Sequence, residues 1–277
     1  MRVPVRYLVG VACALVLTGC GEGIDLSALA QSRATGEFER TLSVTGPVDL
    51  DIRTGSGDVR VRVGPDDRVA ILGRITAQER FVGDSAVERV GRVEKAPPIR
   101  QEGNMIRIGD TEDNALYDNV SITYELTVPA NTRIASHTGS GDQVIGDLKG
   151  AVSARAGSGD IEIEGAGGGL DAEAGSGDIW ARAVRGAVKV RVGSGRINVS
   201  QTVLGEVDVR AGSGDVSVAL PRDAAVTLSL QTGSGSIDSA LPVQFDEQRH
   251  RNRLDGVVRG GGTRVDIRTG SGSIHIQ

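Results

Sequence analysis

The sequence predicts an all-β fold: a parallel β-solenoid, a single β-helix-like stack of coils about 18 residues long, with a β-rich cap insertion toward its N-terminal end. Three observations lead there. The tripeptide Gly-Ser-Gly begins at residues 55, 139, 157, 175, 193, 212, 233 and 270, and self-similarity at a fixed period is the mark of stacked-repeat architectures. Apolar residues alternate before the tripeptides, as in Val152/Ala154/Ala156, Leu170/Ala172/Ala174, Val188/Val190/Val192 and Val207/Val209/Ala211, which is the period of a half-buried strand and not of a helix. Aligned on the tripeptide, the intervening polar residues form columns whose charge mostly changes sign from unit to unit.

Residues 1–19 have the plan of an export signal, with Arg2 and Arg6 followed by an apolar run from Tyr7 to Leu17. That run is too short for a membrane span, which takes about 20 residues. Leu17-Thr18-Gly19-Cys20 resembles the lipobox of bacterial lipoproteins, and the resemblance implies cleavage before Cys20 and lipid attachment to it. Removal of 1–19 also removes Cys13, so the remaining 258 residues hold together through core and ladders without a disulfide. It leaves 29 basic residues against 36 acidic ones, a net charge of −7 in place of −5. No nucleic-acid partner is expected, since that calls for a basic patch.

Residues 20–36 read as a tether and 37–277 as the solenoid domain. Within it, 64–131 reads as the cap insertion over one apolar end of the stack. Val120, Ile122, Tyr124, Leu126 and Val128 alternate there up to Pro129, and Met105–Ile108 offers another strand. Residues 132–240 read as the regular array and 263–277 as the final coil. Between them, 241–262, with the basic run Arg249–Arg253 and the glycines 260–262, reads as a loop insertion.

Two places after the tripeptides stand Val59, Ile161, Ile179, Ile197, Val216, Ile237 and Ile274, with Gln143 the polar exception. A strand-turn-strand unit fits either a coil stacked on its neighbours or a hairpin in an antiparallel meander. The outward columns favour stacking. Four places before the tripeptide they read Ser153, Asp171, Lys189, Asp208; two places before, Arg155, Glu173, Arg191, Arg210; directly after, Asp160, Asp178, Arg196, Asp215. In-register coils set such residues about 4.8 Å apart, where opposite charges attract and like charges repel. Arg191 beside Arg210 breaks the pattern.

From about residue 37 to the C-terminus the chain resembles the bacterial putative-adhesin family of β-strand repeat proteins, a domain of unknown function. The likeness is carried by the segment Val48–Val59, by the strand ending Leu126-Thr127-Val128-Pro129, and by the repeated Ala-Gly-Ser-Gly-Asp-Ile. It implies a surface solenoid with an adhesive role and supplies no catalytic residues.

No catalytic, cofactor or metal residues are assigned. A serine recurring in eight turns is a turn residue, because a nucleophile elbow needs Gly-x-Ser-x-Gly on a strand-to-helix turn. His137, His250 and His275 are not gathered with carboxylates by any pattern. The aspartates Asp58, Asp142, Asp160, Asp178 and Asp215 recur as calcium ligands do in nine-residue repeat rolls, but the period differs and Arg196 interrupts them, so they read as turn caps. Trp180 points outward by parity between Glu162 and Asn198, a candidate partner contact.

The expected function is that of a non-enzymatic envelope lipoprotein, exported and anchored through Cys20, in the outer membrane where two membranes are present, since Gly21 is not the aspartate that retains lipoproteins at the inner one. Its partners would be the membrane, through the lipid, and a polysaccharide or protein of the envelope. The alternatives are a polysaccharide-processing β-helix enzyme and an accessory factor in envelope stress sensing.

Overall fold

A computed structural model describes residues 33–79, 83–109, 119–245 and 252–277. The signal segment, Cys20, residues 20–32 of the expected tether and His250 lie outside the described residues. Each repeat supplies one strand to a twelve-stranded sheet, turns at Gly-Ser-Gly, and supplies the next strand to an eleven-stranded sheet. Leu170–Ser176, for example, lies in the first and Ile179–Arg185 in the second. Neighbouring repeats pair in parallel and in register. Asp171 lies opposite Lys189, and Lys189 opposite Asp208. The stacked coil, and not the antiparallel meander, is the arrangement adopted.

The turns explain why the register is unique. The third residue of every tripeptide is a glycine with φ between 126° and 147°, a conformation that costs an L-residue with a Cβ but not glycine. The turns also touch backbone to backbone: a Cβ on Gly175 would lie 2.5 Å from the Gly157 carbonyl oxygen, and one on Gly177 would lie 2.2 Å from that of Gly159. Gly177 N–H donates to Ser194 O at 3.0 Å, tying one turn to the next. Between the sheets lies a thin core, with Ala154, Ala172 and Val190 on one side and Ile163, Ala181 and Val199 on the other, all buried. Gln143 is buried as well, and its amide donates to Thr138 Oγ1 at 3.0 Å and Arg155 O at 2.6 Å, so the polar exception keeps partners inside.

At the N-terminal end the eleven-stranded sheet continues through Val120–Pro129, parallel to Val59–Gly64, and then through Arg68–Gln78 and the edge strand Arg33–Ser43, both antiparallel. Met105–Ile108 and Ile99–Glu102 extend the other sheet. Residues 33–36, expected in the tether, therefore open an edge strand paired with Arg68–Gln78, where the ladder satisfies backbone that a tether would leave to water. The insertion also contains a helix, Ala86–Lys95, absent from the all-β expectation. Its start is a capping box, in which Ser85 Oγ accepts from Glu88 N–H while Ser85 N–H donates to the Glu88 carboxylate. Ala86, Val90 and Val93 fall on one face at i, i+4 and i+7, and that face is buried against the strands Arg33–Ser43 and Arg68–Gln78.

At the far end, stack order and chain order part. The strand expected to be final, Thr263–Ser271, lies between Val207–Ser213 and Val226–Ser234. The expected loop at 241–262 carries two strands: Arg253–Val258, the closing strand, pairs antiparallel with Val226–Ser234, and Val243–Phe245 pairs antiparallel with it at the sheet edge. To reach its place the chain crosses the start of Val226–Ser234 through Arg259, Gly260, Gly261 and Gly262, all at positive φ. A Cβ on Gly262 would come 2.7 Å from Ala225 O, so only glycine passes that closely. The closing strand covers an edge that the last parallel strand would otherwise expose.

The register makes Lys189 a test position, since its ammonium lies 3.9 Å from Asp171 and its other neighbour is Asp208. Lys189→Asp should lower stability by about 1 kcal/mol at low salt, the scale of a solvated cross-strand pair. Much of the loss should return near 1 M salt, where the screening length is about 3 Å. Denaturant midpoints check this. Asp171→Asn should relieve the variant more than it relieves the wild type, and equal relief in both backgrounds would contradict the register.

Candidate binding faces

The turn aspartates lie along one edge of the stack, and their geometry is that of caps. Asp58 Oδ1 accepts from Asp142 N–H at 3.1 Å, Asp142 from Asp160 at 2.9 Å, Asp160 from Asp178 at 2.8 Å and Asp178 from Arg196 at 2.7 Å. Each carboxylate thus satisfies the first backbone donor after the tripeptide of the next coil. Arg196 does not break the chain of contacts at its own level: its guanidinium meets Asp178 Oδ2 at 2.8 Å while its N–H takes Oδ1. Beyond the interposed strand, Asp215 Oδ1 accepts from Ser273 N–H at 2.8 Å. A carboxylate that accepts from the neighbouring coil has an oxygen committed that a metal would need.

Trp180 projects from the outer face of the eleven-stranded sheet, half-buried, with Glu162 and Asn198 as its cross-strand neighbours. His275 stands on that same face beside Ser217 and Asp238, whereas His137 stands on the outer face of the opposite sheet. The two described histidines therefore cannot act together. The tripeptide serines stack on one another, Ser158 on Ser176 on Ser194 on Ser213, with no histidine among their cross-strand partners.

The twelve-stranded sheet carries the most ordered charge. Four places before the tripeptide its outer row runs Asp51, Ala135, Ser153, Asp171, Lys189, Asp208, and then Asp266 of the interposed strand. Two places before, the row runs Arg53, His137, Arg155, Glu173. It continues through Arg191, Arg210 and Arg268. Asp-x-Arg pairs bridge the rows within a strand: Arg53–Asp51 at 3.1 Å, Arg210–Asp208 at 3.0 Å and Arg268–Asp266 at 2.9 Å. Sequence reasoning placed Asp208 and Arg210 correctly in this lattice but did not bring Asp266 and Arg268 beside them. The repeated Val-Asp-Val-Arg of 207–210 and Val-Asp-Ile-Arg of 265–268 was the available signal.

Near the N-terminal end the same face sinks into an open depression of about 500 Å³, floored by small residues including Ala135, Ser153 and Gly169. Its carboxylates are engaged by cations: Asp49 by Arg133 at 3.0 Å, Asp51 by Arg53, and Asp171 by Lys189. His137 lies in the adjoining row, with Nε2 3.4 Å from Arg155 Nη1. Burial, and then the charges of Arg155 and Arg53, hold its pKa below the usual histidine value, and Asp51 and Glu173 oppose them only in part. At the closing strand, burial raises the Asp255 carboxyl, but hydrogen bonds from Arg253 and Ser229 outweigh it and leave the pKa below the ordinary value.

A two-sheet parallel β-solenoid with charge-laddered outer faces is thus the class of protein that fold and surface define. The chain belongs to the Toastrack DUF4097 family, which matches residues 48–277. Similar solved structures include a "putative cell adhesion protein" from Clostridium sporogenes, 14% identical over 88% of this chain and 99% of that one, with a TM-score of 0.35. Another is a "putative adhesin" from Bacteroides fragilis, 11% identical over 87% and 97% of the two chains, with a TM-score of 0.30. No curated protein matches the chain.

Three measurements bear on these faces. The melting midpoint should be the same in excess calcium and excess chelator, because a metal bound only by the folded state would raise it. Asp160→Ala should cost about 1 kcal/mol by leaving Asp178 N–H without its acceptor, and Asp160→Asn less, since the amide keeps an oxygen there. For His137 the sign follows from its lowered pKa: below about pH 6.5 the unfolded chain takes up a proton that the folded chain resists. Stability should therefore fall as pH drops through that value, and the fall should be smaller in His137→Gln when thermal midpoints are compared at pH 7.5 and 5.5.

Proposed function

We propose that this protein is a non-enzymatic, lipid-anchored protein of the bacterial cell envelope that acts as an adhesin-like binder through the outer faces of its solenoid. The observation that carries the reading is the in-register charge lattice of the twelve-stranded sheet, a rigid surface on which side chains repeat at strand spacing from coil to coil. A partner that is itself repetitive, a polysaccharide or a fibrous protein of the envelope, meets such a surface at many equivalent points. The adhesion proteins named among similar structures agree with this role. Binding without turnover is supported by the ion-paired carboxylates of the depression, because a carboxylate held by a cation is a poor general base, and by the separation of the two described histidines on opposite sheets.

Anchoring rests on the sequence. The export signal and Leu17-Thr18-Gly19-Cys20 support lipidation at Cys20, the single cysteine left after cleavage, and Gly21 supports outer-membrane sorting. Trp180, half-buried on the eleven-stranded sheet, is a second contact point for a partner. The experiment that tests the anchor is metabolic labelling with a fatty acid. Wild type should take up label and fractionate with membranes, while Cys20→Ala should be unlabelled and released, because stable anchoring needs more than one acyl chain or an added signal. Label persisting on the variant would refute the anchor.

A further inference from the structure

Arg191, Arg210 and Arg268 stand side by side on three adjacent strands of the twelve-stranded sheet. Like charges adjoin elsewhere on this sheet in pairs, as in Asp208 beside Asp266 and Arg100 beside Arg107, whereas here three guanidiniums follow one another at about 4.8 Å spacing. Glu173 adjoins Arg191 at one end of the row and pairs with Arg155 at 3.7 Å, and the other carboxylates beside the row are each shared. Asp208 is shared by Arg191 at 3.5 Å and Arg210 at 3.0 Å, and Asp266 is shared by Arg264 at 3.0 Å and Arg268 at 2.9 Å. Four arginines thus divide two carboxylates, in a chain whose net charge is −5. The Asp266 side chain is only 7% exposed and lies beneath Arg264 and Arg268, whereas Asp208, at 36%, is as exposed as Arg191 and shares the surface with Arg210 at 50% and Arg268 at 47%. A guanidinium has five donors in a planar fork, and a contact with a shared carboxylate leaves much of each fork for a second acceptor.

We propose that this arginine row is the binding site for a linear acidic polysaccharide of the uronic-acid type, lying across the strands along the stack axis. This rests on the binding role proposed above and names its ligand class. An extended polyuronate carries one carboxylate per sugar, and because successive sugars rotate along the chain, the carboxylates of one side recur about every second sugar, roughly two strand spacings, and meet alternate arginines such as Arg191 and Arg268. Planar carboxylates match the guanidinium fork in two-point contacts that an ammonium does not make. The row extends past Gln231 to Arg253 on the closing strand, which lengthens the track for a polymer.

The test uses the intact chain and a fluorescently labelled galacturonate hexamer, followed by anisotropy at low and high salt. Binding that weakens with salt and falls about tenfold or more in the double variant Arg210→Gln, Arg268→Gln supports the site. Arg182→Gln, on the opposite sheet, should leave it unchanged. The double variant loses the Arg210–Asp208 and Arg268–Asp266 contacts along with the like-charge repulsion, and Arg191 and Arg264 still hold the two carboxylates, so the melting midpoint should move little, which separates lost binding from lost structure. Absence of galacturonate binding at low salt, or equal binding by wild type and double variant, overturns the proposal. So does tighter binding of a polyphosphate of equal length. A neutral glucan hexamer bound equally by wild type and double variant, with no galacturonate binding, overturns this site and leaves the broader adhesive reading standing.

Discussion

The contact on which the rest of this structure depends is the one between successive Gly-Ser-Gly turns. With a Cβ excluded on both glycines, the carbonyl of one turn sits where a side chain would be, and the next turn can rest on it in one register only. A slip by one residue would move every apolar side chain of a strand from the core to the surface. It would also drive a Cβ into the carbonyl below. Two independent penalties therefore enforce the same alignment, and the alignment decides which side chains neighbour one another across coils.

From that alignment the outer faces follow. A parallel ladder repeats each position at strand spacing, so a residue chosen for one coil is judged against its counterparts above and below. Ser153, Asp171, Lys189 and Asp208 show a row in which opposite charges adjoin, and the turn aspartates show carboxylates turned into backbone acceptors for the next coil. Solvated pairs of this kind contribute a few tenths to 1 kcal/mol each. The burial of a Val or Ile between the sheets contributes about 1.5–3 kcal/mol. The core holds the coils together, and the charge pattern modulates how well a given neighbour fits.

Most of this could be read from the chain because periodicity and parity are local properties. The tripeptide spacing, the alternation around Ala154 and Ala172, and the partners of Lys189 all follow from counting residues. Four things did not follow, among them the strands Val243–Phe245 and Arg253–Val258 in the segment expected to be a loop. The helix Ala86–Lys95 sits in an insertion dominated by strand signals, although its Ser85–Glu88 capping box and the spacing of Ala86, Val90 and Val93 were visible. The edge strand from Arg33 has weak alternation, and its place is set by pairing with Arg68–Gln78, a long-range contact that counting does not reach. The position of Thr263–Ser271 is topological: sequence order suggests the end of the stack, and only the passage of Arg259–Gly262 across Val226–Ser234 carries the strand inward.

That inward placement bears on the candidate surface. Had the chain stacked in sequence order, Arg210 would have Gln231 as its neighbour and the positive row would end at two arginines. The interposed strand instead puts Arg268 beside Arg210 and Asp266 beside Asp208, so both the third arginine of the row and the buried carboxylate beneath it are products of the crossing. Like charges in adjacent positions oppose the folded state, and the fold tolerates them because the glycines of the crossing and the buried Val265 and Ile267 hold the strand in place. A strand retained there against its own surface electrostatics gains most from an anion that lies along the row. The same topology that closes the far end of the sheet thus concentrates positive charge three strands in from that end, on a face where a long polymer can run across successive coils.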